Sequence, residues 1–403
     1  VPRIAMIVWN EFRNDARVLK QARTLQAAGY QVTVFALHAP GVTHRKEVLA
    51  EGIRVVRVAR SVRWRAANAG SHPSPGPFAA EQSMPLRRIL SRLWVHAGLL
   101  LRIALHRAAV VHAHDVNTLP TAWLAARLSG ARLVYDAHEI STSREGYARF
   151  RSWVGCIEKT LMPRAEGIIT TTQSRARFFA RAYGIARPLV LQNRPCLSAS
   201  SPGQRIRLEL GLQHPWPIVV YQGGLQQGRG LERLLRVAAS LQGAYLVLIG
   251  SGRLTPALMA LRTELGLTDR VHFIPTVALA DLPSYTASAD IGVQPIENTC
   301  LNHFTTDSNK LFEYVIAGLP VVATDFPEIR KIVRAYSVGL LVPAGSEQSL
   351  RTALQRLIDE PLLRQALAQN AKNAALHLNW ERQESTLVAL YERVLRRKTE
   401  VRA

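Results

Sequence analysis

The sequence predicts an α/β protein made of two doubly wound parallel-sheet domains, and three observations carry that prediction. Short apolar β-runs alternate with amphipathic helical runs through the first half, the βαβ signature of a parallel sheet. A Pro/Ser/Gly-rich stretch, Asn193–Gly203 (NRPCLSASSPG), then interrupts the pattern, and the alternation restarts beyond it. At 403 residues the chain is long for one core and comfortable for two. Residues 1–194 are therefore read as one domain and 195–378 as a second.

In the first half, Ile4–Trp9 reads as a strand, Asp15–Ala28 as a helix, and Gln31–Ala36 and Ile53–Val58 as strands. Ser61–Met84, with Pro73, Pro75 and Pro77, is the most loop-like segment. It leads into Pro85–Arg107, where Leu and Ile recur beside Arg87, Arg88, Arg92 and Arg102. Val110–Ala113 and Leu133–Asp136 are β-runs with a helix, Leu119–Leu128, between them. Gly167–Thr171 is the last strand before a helix at Arg175–Tyr183. Past the linker come Ile218–Gln222, a Leu-rich helix, Tyr245–Gly250, Val271–Ile274 and Ile291–Gln294. Trp380–Lys398 is a strong helical run.

The formal net charge is +22, and it is uneven. Residues 1–195 hold 29 Lys and Arg against 11 Asp and Glu, whereas the remainder holds 22 against 18. Nucleic acid, an anionic membrane surface and a polyanionic substrate all suit such an excess, and a general Arg-rich composition accounts for it equally. No zinc-finger or RRM signature or interleaved aromatics point to nucleic acid. Cys156, Cys196 and Cys300 are odd in number and match no metal spacing, which favours a reduced compartment. The N-terminal run VPRIAMIVWNEF lacks the length and cleavage site of a signal peptide. Leu93–His112 is broken by Arg102, His106 and Arg107 and makes a poor membrane span. The expectation is a soluble, cytoplasmic protein, with the inner face of the plasma membrane as the surface its charge admits.

The most informative segment is Thr305–Asp325, TTDSNKLFEYVIAGLPVVATD. Thr306, Asp307 and Ser308 offer N-caps, Leu311, Phe312, Val315 and Ile316 form an apolar face, and Gly318 with Pro320 ends the helix before a β-run. An open helix N-terminus carries roughly +0.5 charge and seats phosphate, and Lys310 adds a full charge in the first turn. Glu313, about one turn on, cannot serve phosphate, but a carboxylate behind a diphosphate suits two ribose hydroxyls. A capped amphipathic helix with a solvated Lys and Glu is the plainer alternative.

NKLFEYVIAGLPVVATD resembles the nucleotide-sugar helix of retaining GT-B glycosyltransferases of family 4, and the likeness runs in order from the first strand to the last helix. It implies two Rossmann-like domains facing across a cleft, with the final helix, residues 379–403, crossing back onto the first. In the second domain it assigns donor binding to Gly223, Gly224 and Arg229 of YQGGLQQGRG, to Gly250 of LIGSG, to Pro275 near the base, and to Asn309, Lys310 and Glu313. Gly224 stands where the family has an Arg, and Arg229 where it has a Lys. Of the family's paired glutamates, Glu313 matches the second, but Thr305 occupies the first, and Glu297 is the nearest substitute carboxylate.

In the first domain, His114 of VVHAHDVNTLP sits at a strand's carboxyl end and matches the His beside the transferred sugar, while His112 reads as structural. His138 and Glu139 of YDAHE repeat that arrangement. Asn14, Asp15 and Arg17 of the first βα loop are read as acceptor-binding, although Asp15 reads equally as a helix cap and Arg17 as solvated. His114, Arg229 and Lys310 are the catalytic candidates. No DxD pair or His/carboxylate cluster points to a metal, and no cofactor is expected. The implied activity is sugar transfer from a nucleotide-diphosphate sugar to a glycan or lipid-linked acceptor. A small-molecule acceptor, or a catalytically weak nucleotide-sugar-binding protein, remains open beside it.

Overall fold

The computed structural model describes residues 1–59, 85–198 and 203–400. The loop reading of Ser61–Met84, with Arg60, Arg63, Trp64 and Arg65, lies outside the described residues, as do the side chains of Arg87 and Arg88. The chain divides into two compact units, the first holding Val1–Thr171, Ala176–Leu191 and the chain from Glu384, the second Thr172–Arg175 and Gln192–Gln383.

The first unit is built on β1 (Arg3–Ile7), α1 (Ala16–Ala27), β2 (Gln31–His38), β3 (Lys46–Val48), β4 (Arg54–Ala59), α2 (Pro85–His106), β5 (Val110–His114), α3 (Leu119–Ser129), β6 (Arg132–Ala137), α4 (Arg151–Leu161), β7 (Gly167–Thr170), α5 (Gln173–Tyr183) and β8 (Leu189–Val190). Its sheet runs β3-β4-β2-β1-β5-β6-β7-β8, parallel throughout except for β3. The central strands β1 and β5 are buried along almost their whole length because helices cover both faces. Along α2, Val95, Leu99 and Ile103 recur every fourth residue and enter the core with residues of α3 and the sheet.

The second unit comprises α6 (Arg205–Leu210), β9 (Ile218–Gln222), α7 (Leu231–Ser240), β10 (Tyr245–Ile249), α8 (Thr255–Glu264), β11 (Val271–Ile274), α9 (Leu282–Thr286), β12 (Ile291–Gln294), α10 (Leu301–Phe304), α11 (Asn309–Ile316), β13 (Val321–Thr324), α12 (Pro327–Tyr336), β14 (Gly339–Val342), α13 (Glu347–Asp359) and α14 (Pro361–Ala375). Its six strands run β11-β10-β9-β12-β13-β14, all parallel. The last helix, α15 (Glu381–Glu400), belongs to the first unit from Glu384 onward, where Tyr391 meets His112 and Glu384 meets Thr24.

Both sheets reverse winding direction once. In the first unit β1 lies between β2 and β5, and in the second β9 lies between β10 and β12. Ligands of open α/β sheets bind beyond the carboxyl ends of the strands at such switch points. Sequence alternation found the long central strands. It passed over the three-residue β3, the two-residue β8 and the edge strand β14, which carry too few residues or too little burial to show a period.

Candidate functional site

At the second unit's switch point, β9 ends in Gln222 and runs into Gly223 and Gly224. Gly223 adopts φ 120°, and a Cβ there would stand 2.8 Å from Lys310 Cε. Gly250, at φ 138°, lies so close beneath that its Cβ would meet Gly223 O at 2.2 Å. Only residues without side chains let these two strand ends pack backbone to backbone, fixed by Gly223 N donating to Ile249 O at 2.8 Å and Gly250 N to Ile274 O at 2.8 Å. Pro275, exposed, follows directly on Ile274.

The start of α11 stands beside this glycine floor. Ser308, at φ 55°, is the cap residue, yet its side chain makes no capping bond, so the N-terminus stays open rather than self-satisfied. Lys310 Nζ lies 5.1 Å from the centre of the Tyr221 ring. Burial and then the neighbouring Arg229 charge push the Lys310 ammonium down to about 8, with Glu313 opposing. Among the described residues, neither Arg229 nor Lys310 has a hydrogen-bonded or ion-paired carboxylate. Two neighbouring cations with no carboxylate bonded to either among the described residues are costly together and are relieved by an anion. Glu313 Oε2 accepts from Gln222 Nε2 at 2.6 Å, and Gln222 Oε1 accepts from Thr286 at 2.8 Å. Gln222 thereby aims the Glu313 carboxylate. It was passed over in the sequence although it adjoins the glycine pair. Gly224, Asn309 and Pro275 are exposed at this face.

Two positions bear on the missing first glutamate. Thr305, at the first-glutamate position, is buried, donating to Leu301 O at 2.7 Å and accepting from Arg175 Nε at 3.3 Å, so it faces packing rather than ligand. Glu297 is paired with Arg233 at 3.1 Å. Asp307 is buried, accepts from Gln192 at 2.8 Å, and is pushed up to about 6 by desolvation.

In the first unit, the strand register sets His114 opposite Asp136, and both lie at the carboxyl ends of their strands. Asp136 is fully buried and is the hub of the cluster. Arg17 Nε and Nη2 grip its two oxygens at 2.9 and 2.8 Å, Gln21 donates at 2.6 Å, and His138 Nε2 approaches at 3.3 Å. His138 Nε2 also lies 3.3 Å from His114 Nδ1. Burial raises the Asp136 carboxyl, but Arg17 and His138 outweigh it and hold it well below the usual range. Burial works against charged His138, yet Asp115 and Asp136 raise it on balance, while burial lowers His114. These shifts favour the neutral form of His114 and the charged form of His138. His114 Nε2 is shielded from solvent and has no hydrogen-bond partner among the described residues.

Arg17 is the clearest correction. Its third donor, Nη1, reaches Leu191 O at 2.8 Å, and the side chain is 4% exposed, so neither solvation nor acceptor binding describes it. Asp15 caps α1, accepting from Val18 N at 3.1 Å and Asn10 Nδ2 at 2.8 Å, and Asn14 is exposed beside it. Glu139 is paired with Arg144 at 2.8 Å on the surface. Asp136, near the end of β6, was missed, although His138 follows two residues on, just past the strand. His112, His114 and Asp136 also form a cluster with three ligand atoms within 4.8 Å of one another, which the sequence reading did not find. Both Asp136 oxygens are already bonded, and a cation there would meet the Arg17 charge.

The fold places the chain in the GT-B class of glycosyltransferases. Residues 15–195 match the family model described as "Glycosyl transferase 4-like domain", and residues 216–360 match "Glycosyl transferases group 1". The chain belongs to this glycosyltransferase family. It is 27% identical over 402 residues to the D-inositol 3-phosphate glycosyltransferase of Actinosynnema mirum, covering 93% of this chain and 90% of that one. Among solved structures, sucrose-phosphate synthase from Thermosynechococcus elongatus superposes with a TM-score of 0.79 at 19% identity, covering 98% and 99% of the two chains. Anabaena HepE in complex with UDP-glucose gives a TM-score of 0.72 at 17% identity over 99% and 100%.

Proposed function

We propose that this protein is a retaining transferase that moves a sugar from a nucleotide-diphosphate sugar to a hydroxyl of a glycan or lipid-linked acceptor, in cell-envelope or exopolysaccharide synthesis, without a metal. The observation that carries it is the pair Arg229 and Lys310, bonded to no carboxylate among the described residues, at the open start of α11, with Glu313 aimed by Gln222 one turn on. The diphosphate sits against the two cations and the helix N-terminus, and the ribose hydroxyls bond to Glu313. In the reaction, the bond from the anomeric carbon to the diphosphate oxygen breaks. The acceptor oxygen bonds to that carbon on the same face, and its proton passes to the departing oxygen. Arg229 and Lys310 stabilise the growing charge on the diphosphate. His114 stands beside the transferred sugar, with His138 behind it, while Asn14 and Asp15 border the acceptor.

A small-molecule acceptor is the second reading, favoured by the name of the Actinosynnema relative. Thermal shift with UDP, GDP, ADP and dTDP tests the donor, since binding the folded state raises its melting temperature by mass action. A rise with one of them is expected, and no rise with any removes the donor reading. Proton NMR of the product's anomeric signal then separates retention from inversion. Turnover on inositol 3-phosphate against lipid-linked sugars separates the acceptors.

A further inference from the structure

The outer surface of α2 is apolar where a solvated helix would be polar. Ile89, Leu90, Leu93, Trp94, Leu101 and Leu105 are each more than half exposed, while the inner positions Val95, Leu99 and Ile103 are in the core. At 100° per residue the exposed set falls on one side of the helix with Ala97 and Ala104, and from Ile89 to His106 no charge interrupts it. This helix packs on α3, which carries exposed Leu128 and packs in turn on α4, which carries exposed Trp153. An apolar surface of this extent marks an interaction site.

The charge around it names the occupant. Neither α2 nor α3 contains an acidic residue, and the single acid of α4, Glu158, is buried under Tyr135, Tyr183 and Ser141. Arg92, Arg102, Arg127, Arg151 and Lys159 are all exposed on these same helices. A general Arg-rich composition does not account for exposed acids being absent from three successive helices. We propose that α2, flanked by α3 and α4, docks the first unit onto an anionic lipid bilayer.

The stretch Ile89–His106 is long and apolar enough to cross a membrane by length and composition alone. Its inner side, however, is committed to the protein core through Val95, Leu99 and Ile103. The helix therefore lies in the interface plane, its outer leucines among the acyl chains and Trp94 at headgroup level. A second copy is the poorer occupant, because a two-fold contact sets this face against itself and brings basic rim against basic rim. The inference deepens the reading of a membrane-presented acceptor and rests on it, while donor binding is independent of it.

The test is sedimentation with vesicles of phosphatidylglycerol and phosphatidylcholine, against phosphatidylcholine alone. The wild-type chain is expected to prefer the anionic vesicles, more strongly at low salt. The triple variant Leu93→Ser, Trp94→Ser, Leu101→Ser is expected to bind about tenfold or more weakly. Its melting temperature and nucleotide affinity should match wild type, which separates loss of docking from misfolding and from failure of the donor reading. A second variant, Trp153→Ser, and quenching of tryptophan fluorescence by brominated lipid report insertion without altering α2. Vesicle binding unchanged in the triple variant overturns the proposal. So does a concentration-dependent dimer that the variant abolishes without any vesicle binding.

Discussion

Glu313 is a half-buried carboxylate, and the hydrogen bond it accepts from Gln222 leaves it acceptor capacity for ribose. Replacing it by Ala is expected to weaken nucleotide-diphosphate binding by about 1–3 kcal/mol, the scale of a hydrogen bond to a charged group. Calorimetry decides this, and unchanged affinity in a folded variant removes Glu313 from the site. Lys310 gives a sharper signature. With its ammonium lowered to about 8 by burial and Arg229, it is part-deprotonated near that pH, and an arriving diphosphate restores the proton. Donor binding at pH 8 is therefore expected to take up protons, read as a dependence of the binding enthalpy on buffer ionisation. Lys310→Met should abolish that dependence. The sign for stability is also fixed: the unfolded chain binds the extra proton between about 8 and the ordinary lysine value, so the free protein gains stability as pH rises through that window. Replacing Arg229 or Lys310 is expected to lower turnover beyond any weakening of donor binding, because the diphosphate charge grows in the transition state. A raised KM with intact kcat would refute that role.

Elements cooperate at two points. Helix α1 meets the end of β6 through Arg17 and Asp136, and removing the cation strands a fully buried carboxylate. Arg17→Met is expected to destabilise the protein by about 3–5 kcal/mol. Urea unfolding measures this, and wild-type stability would return Arg17 to a ligand-facing role. The ends of β9 and β10 meet through Gly223 and Gly250, where an added methyl at Gly250 would stand 2.2 Å from a carbonyl oxygen. Gly250→Ala must displace one loop, and its φ of 138° adds strain. The expected result is lost nucleotide affinity and a lower melting temperature, and a variant with normal affinity would show the close approach to be dispensable.

For the whole molecule, the two units carry separate sheets. Hydrogen exchange with a nucleoside diphosphate alone is expected to slow the amides of Gly223–Leu225, Gly250–Gly252 and the first turn of α11. The loops after β5 and β6 should exchange as before. Protection centred on His114 and His138 instead would exchange the donor and acceptor assignments.

The sequence by itself determined the two alternating sheets, the break near residue 193, the glycine turn after β9 and the open helix bearing Lys310 and Glu313. Each is a local pattern, set by which residues recur along a few turns or strands. What only the tertiary structure decided is which charges are spent. Arg17 meets Asp136 across 119 residues of chain, and Arg233 takes up Glu297 from another element. The structure also decided that the outer leucines of α2 have no protein over them among the described residues, since the sequence shows an apolar helix but not which side the core claims. Pairing and exposure follow from strand order and helix packing, which join residues far apart in the chain. A local period encodes the face of an element and carries no record of what that face meets.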